Sequence, residues 1–211
     1  MIKSKQRISE FGEVFTSERE VNAMLDLVGD EAERIESRFL EPACGEGVFL
    51  NEILLRKLKV IEDKYKTNQS DYEHYCFTGV SSLYGIDILE DNVEKCRFRL
   101  LQTVSSEYAK LFRNTVKDRF LKSITISLSK NILHGDALTL KKINSEEPIT
   151  FTEWGMLAGG RVIRKEYKFS NLLAYQPFDE GTLFSDLGEE VFIPEPTKSY
   201  PSKHFLDLSH E

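Results

Sequence analysis

The stretch Phe39-Leu40-Glu41-Pro42-Ala43-Cys44-Gly45-Glu46-Gly47-Val48-Phe49-Leu50 constrains this chain more than any other. A short apolar run meets an acid, two glycines follow in a G-x-G turn, and an amphipathic pattern begins at once. That is the layout of a strand, a ligand-cradling turn and a helix. Glycines accept positive φ and let a ligand approach the backbone, while the following helix start offers unpaired N–H groups.

The chain around this turn predicts alternating elements. Ser17-Glu18-Arg19-Glu20 reads as a capping box, and Val21, Met24, Leu25 and Val28 follow at helical spacing with Gly29 as a stop. The helix after the turn runs to about Tyr65. Residues 67–80 are polar and turn-rich and read as a loop or insertion. Residues 82–88 read as a second strand ending at Asp87, with Asp91 capping the next helix. A further helical pattern spans about Ser106 to Phe120, and residues 123–129 fit either a helix end or a strand. Residues 131–138 read as a third strand ending at Asp136. Strands alternating with helices, each strand closing on an acid, predict a parallel sheet wound with helices.

After Pro148 the pattern changes. Residues 149–154 and 161–169 predict two strands about the Gly159-Gly160 turn. From about Gln176 the chain is rich in proline and acids and reads as an extended arm. The expected organisation is therefore a domain over 1–147 and a β-ribbon with a Pro-rich acidic arm over 148–211.

At 211 residues the chain can bury a substantial core. No apolar run approaches the roughly 20 residues of a membrane span. No signal-peptide core follows the basic N-terminus, and three cysteines lack metal-ligand spacing, so a cytoplasmic protein with reduced thiols is expected. The net charge of −7 speaks against a surface that is wholly a nucleic-acid platform. Residues 92–122 nevertheless carry eight basic against three acidic side chains, and residues 176–196 carry six acids and no Lys or Arg. Both read first as solvated faces.

Three acids at three successive strand ends, Glu41, Asp87 and Asp136, suit a nucleoside better than a pyrophosphate. G-x-G-x-x-G is not completed, because Leu50 holds its last position, and Glu41 would repel an anion. On these residues the chain resembles the amino-methylating DNA methyltransferases of restriction-modification systems, whose S-adenosylmethionine motif is D/E-P-A-C-G-x-G-x-F. Phe11 to Thr16 is similar to the family's F-x-G-x-x-(F/Y)-T motif, Tyr84 to Ile88 to its second-strand motif and Gly135 to Leu138 to its third.

The resemblance implies a Rossmann-like methyltransferase fold with a partly truncated parallel sheet and flanking helices. It implies S-adenosyl-L-methionine as cofactor, held by Phe15, Thr16, Glu41, Pro42, Ala43, Cys44, Gly45, Gly47, Phe49, Asp87, Ile88, Asp136 and Ala137. Glu41 would face the methionine ammonium, the turn N–H groups its carboxylate, Asp87 the ribose and Asp136 the adenine amino group.

The family's catalytic Asn/Asp-Pro-Pro-aromatic motif is absent, and the sequence holds no Pro-Pro pair. The nearest candidates are Glu153, which could accept an amino hydrogen, and Trp154, which could stack a base or simply be a sheet aromatic. Little chain follows residue 154 for further strands and a target-recognition domain. The expected function is adenine-N6 methylation of DNA with help from a protein partner or a second copy, with DNA reached directly or through that partner. The alternatives are a catalytically silent cofactor-binding subunit and, less well matched to the motif, a small-molecule methyltransferase.

Overall fold

A computed structural model describes residues 17–173 and 195–210. Phe15 and Thr16, with the motif they belong to, lie outside the described residues, as does the arm from 174 to 194.

The first helix, α1 (Glu18–Asp26), opens with the expected capping box. Ser17 Oγ accepts from the Glu20 N–H, and the Glu20 carboxylate accepts from the Ser17 N–H. A short α2 (Gly29–Glu33) leads into β1 (Phe39–Glu41), the glycine turn and α3 (Val48–Tyr65). Residues expected to form a loop are instead α4 (Gln69–Ser81). The polar run that looked like a loop is its cap: Asn68 Oδ1 accepts from the N–H groups of Ser70 and Asp71. Tyr72, Cys76, Phe77 and Val80 then bury one face.

Next come β2 (Leu83–Asp87), α5 (Glu90–Phe112), α6 (Asp118–Asn131) and β3 (Ile132–Asp136). The helical pattern expected from Ser106 to Phe120 is really the end of α5 and the start of α6, and residues 123–129 are helical. Strand β4 (Lys141–Lys142) returns antiparallel to β3.

The main sheet is ordered β1-β2-β3-β4, parallel across the first three strands. Helices α1 to α6 and the inward side chains Leu83 and Ile132 share one core. On the opposite face Tyr84, Ile86 and Leu133 meet a smaller cluster built from Ile149, Phe151 and Phe169. The fold is thus α/β, with a mixed parallel and antiparallel sheet whose helical layer is concentrated on one side.

Strands β5 (Thr150–Met156) and β6 (Arg161–Lys168) form the expected hairpin, followed by α7 (Phe169–Leu173). Residues 198–210 correct the expectation of an extended arm. β7 (Lys198–His204) pairs antiparallel with β6, and the following 3₁₀ turn buries Phe205 and Leu208 in the main core. Trp154 and Val162 join the same core. Asn131 bridges the layers: Nδ2 donates to the Ser81 carbonyl at 3.1 Å, and Oδ1 accepts from the Thr152 N–H at 3.1 Å.

Lys57, fully buried, ties α3 to the amino ends of β1 and β2. Its ammonium donates to the carbonyls of Ile35 and Ser37 and to Ser82 Oγ, at 3.0, 2.5 and 2.5 Å. Burial pulls it down to about 7 despite Glu36 and Glu31, which favour the charged form. No helix among the described residues is long and apolar enough to cross a membrane.

Candidate functional site

The glycine turn crosses from the carboxyl end of β1 into α3. Gly45 and Gly47 have φ of +51° and +76°, the left-handed region where L side chains are strained. Their surroundings differ. A Cβ on Gly45 would meet open space, whereas one on Gly47 would lie 2.5 Å from Cys96 Sγ. Gly45 therefore marks the open side of the turn and Gly47 the side pressed onto α5. Pro42 and Ala43 are exposed, Gly45 is half-buried, and Phe49 packs partly into the core. The Cys44 thiol is buried and faces Cys96, a contact that together with burial pushes it far above its ordinary value. The Cys44 backbone is engaged as well: its N–H donates to the Ile86 carbonyl at 2.9 Å and its carbonyl accepts from the Gly47 N–H at 2.8 Å. These turn N–H groups, expected to meet a ligand carboxylate, are instead used within the fold.

Asp87, which is 7% exposed, joins the turn to the next helix. Its Oδ2 accepts from the Gly45 N–H at 2.8 Å; its Oδ1 accepts from the Leu89 N–H at 2.9 Å and from Asn92 Nδ2 at 3.2 Å. Of the roughly four acceptor positions of a carboxylate, about one remains. The residue is a structural hub before it is anything else. Glu46, inside the turn, is held from α5 by Lys95 at 3.3 Å and by Arg99, whose Nε also donates to the Glu46 carbonyl at 2.9 Å.

Glu41 is half-buried and is pushed up by that burial, while a hydrogen bond from the Ala43 backbone pulls the other way. No basic side chain is paired with it among the described residues. A carboxylate desolvated in this way gains most from a cation placed beside it. Asp136 behaves oppositely. Its carboxylate accepts from the Leu138 N–H at 2.8 Å, which lowers its pKa and keeps it ionised. Ile88 is exposed, and its carbonyl meets His134 Nε2 at 3.0 Å; Ala137 is half-buried against the smaller core.

Strand register fixes the relation of the acids. Glu41 stands level with Gly85 and hence with Ile132, while Asp87 stands level with His134. Each acid therefore lies two residues further along than the one before. With about 3.3 Å per residue and 4.8 Å between strands, Glu41 and Asp136 end a diagonal of roughly 16 Å across the carboxyl edge. The edge can hold an elongated ligand carrying a cation at one end and a hydrogen-bond donor at the other. These are the features S-adenosylmethionine requires, so the residues present fit it.

The ribbon candidates sit elsewhere. Trp154 is buried, edge-on to Phe77 with centroids 5.7 Å apart, and its indole N–H has no partner among the described residues. Arg164 lies over the Tyr200 ring at 3.5 Å and near Trp154 at 5.9 Å. Glu153 is ion-paired with Arg38, just ahead of β1. Neither side chain belongs to the turn's surroundings.

Sequence reading missed Asn92, Lys95, Cys96 and Arg99, which hold the turn from behind. Their i, i+3, i+4 and i+7 spacing on one face of α5 was the available signal. The basic run they belong to is largely engaged within the fold. Arg97 donates to the Ile132 carbonyl at 2.9 Å, Lys110 pairs with Glu107, Lys117 with Glu73 and Arg119 with Asp207.

No family model matches the chain, and no solved structure matches it.

Proposed function

We propose that this chain binds S-adenosyl-L-methionine across the carboxyl edge of a Rossmann-like parallel sheet, as a methylation subunit acting on adenine-N6 of DNA. The observation that carries the reading is the diagonal of Glu41, Asp87 and Asp136 beside an open glycine turn. In it Glu41 pairs with the methionine ammonium. The one acceptor position left on Asp87 meets a ribose hydroxyl, and Asp136 accepts from the adenine amino group. The bound cofactor supplies an electrophilic methyl on sulfonium. This chain's contribution is to bind and orient it.

Calorimetric titration with S-adenosylmethionine tests the reading. Saturable binding is expected, weakened roughly tenfold or more in Glu41→Gln, the scale of one charge-assisted hydrogen bond. Asp87→Ala should bind more weakly still, because it also loosens Gly45. No heat from wild type at millimolar cofactor would sink the proposal.

A second reading, a catalytically silent cofactor-binding subunit, is favoured by one observation. Glu153 is paired with Arg38, and Trp154 is packed against Phe77, which speaks against either standing in for the absent Asn-Pro-Pro-aromatic motif. Tritiated-methyl transfer to DNA separates the readings. The chain alone should be silent and a reconstituted complex active, whereas robust transfer by the purified chain would overturn the silent-subunit reading.

A further inference from the structure

A cavity lies on the thinly covered face of the sheet. It is a groove of about 530 Å³ between β1–β2 and the ribbon, within the roughly 300–1,000 Å³ typical of small-molecule sites. Its wall is apolar: Phe39, Leu40, Phe151, Phe169, Leu172 and Leu173. One end is polar, formed by Arg38, Tyr84, Glu153 and Tyr167. From these we infer that the groove binds a planar, uncharged heteroaromatic ring bearing an amino group, with its hydrogen-bonding edge against Glu153 and Arg38.

The polar end decides the chemistry of the occupant. Glu153 accepts from Arg38 and shares the polar end with the Tyr167 phenol, which leaves acceptor positions on its carboxylate. Arg38 donates to Glu153 through Nη2, so most of its five N–H donors remain. An acceptor and a donor therefore stand side by side, the complement of an amino group next to a ring nitrogen. A hydrocarbon occupant would strip water from this ion pair and return nothing. A charged occupant would find Arg38 and Glu153 already neutralising each other.

The wall decides its shape. Phe39 and Tyr84, both half-buried, line the groove, and the buried Phe151 and Phe169 back Tyr84 in successive edge-to-face contacts, each pair with centroids 5.3 Å apart, so a flat ring meets aromatic side chains at the wall. The groove adjoins the amino half of β1, whereas the glycine turn leaves its carboxyl end. The inference is independent of the cofactor reading.

Fluorescence titration of the full chain with 2-aminopurine tests it. A saturable change is expected, weakened roughly fivefold in Glu153→Gln, the scale of one hydrogen bond. Leu173→Trp should abolish it by filling the groove from a lip residue that is 50% exposed, where the larger ring disturbs no core. Absence of saturable binding, binding unchanged in both variants, or naphthalene binding as tightly as 2-aminopurine would each overturn the inference. The same base within a single-stranded oligonucleotide separates the sources of such a ring. Tighter binding than the free base assigns it to nucleic acid, and equal or weaker binding to a small molecule, both in keeping with the groove. Asp87→Ala should leave 2-aminopurine binding intact while impairing S-adenosylmethionine binding, so each proposal can fail alone.

Discussion

The carboxyl edge of the main sheet and the β5–β6 ribbon carry side chains of the same chemical kinds, and the fold treats them differently. At the edge, Glu41 has no basic partner among the described residues and Asp136 stays accessible, with backbone geometry holding both. On the ribbon, Glu153 is drawn into an ion pair and Trp154 into the core. An acid beside an aromatic ring is therefore no sign of chemistry until its partners are known. What separates the regions is the kind of partner that fixes each side chain, backbone groups at the edge and other side chains on the ribbon. Asp87 is the most heavily engaged of these acids, nearly saturated by the turn it stabilises.

The largest expected effect tests the ribbon side of this contrast. Trp154→Ala should cost about 3–5 kcal/mol of stability, the usual price of deleting a buried aromatic. Trp154→Phe should fall within about 1 kcal/mol of wild type, because the lost volume is offset by removing a buried, unpartnered donor. Urea unfolding measures both. A severe loss in the Phe variant would mean that the indole N–H has a partner of functional weight.

The turn provides the next effect. Gly47→Ala should lose about 2–3 kcal/mol, combining left-handed strain of roughly 1–2 kcal/mol with the Cys96 contact. Adding Cys96→Ala should recover only part, since Cys96 Cβ also lies 3.1 Å from the new methyl. Gly45→Ala keeps the strain without the clash and should be milder. Equal losses at the two glycines would erase the distinction between the open and closed sides of the turn.

The effect that is smallest per pH unit of its measurement concerns Lys57, a buried charge committed to the scaffold and not to a site. Its amine titrates near 7 when folded, against an ordinary value of 10.5. Between those values the unfolded chain binds the extra proton, so stability should rise with pH, by up to about 1.4 kcal/mol per unit. Below about 7 both states are protonated and the slope vanishes. Denaturation at pH 6, 8 and 10 should show this slope in wild type and lose it in Lys57→Met. A flat wild-type profile would mean that the three oxygens around the ammonium hold it charged.

Local chemistry was legible in the chain. The capping box at Ser17 and Glu20, the left-handed glycines, the strand ends at Asp87 and Asp136 and the Gly159-Gly160 hairpin each depend on residues a few positions apart. Where sequence reading failed, nearest neighbours gave two answers and packing chose between them. The run from Asn68 is polar enough for a loop, but it caps α4 because Tyr72, Phe77 and Val80 have a core to enter. The break between α5 and α6 falls inside a continuous helical pattern. Strand β7 was hidden because its partner strand and the core that receives Phe205 lie elsewhere in the chain.

The candidate site divides along the same line. The types and order of Glu41, Gly45, Gly47, Asp87 and Asp136 came from the sequence, since a strand that ends on an acid at a turn is a short-range arrangement. Only the tertiary structure decided their diagonal spacing, the saturation of Asp87 and the removal of Trp154 into the core. Those depend on sheet register and on contacts such as Arg38 with Glu153, 115 residues apart in the chain. No local pattern encodes such a contact, because its formation rests on the closure and burial of everything between.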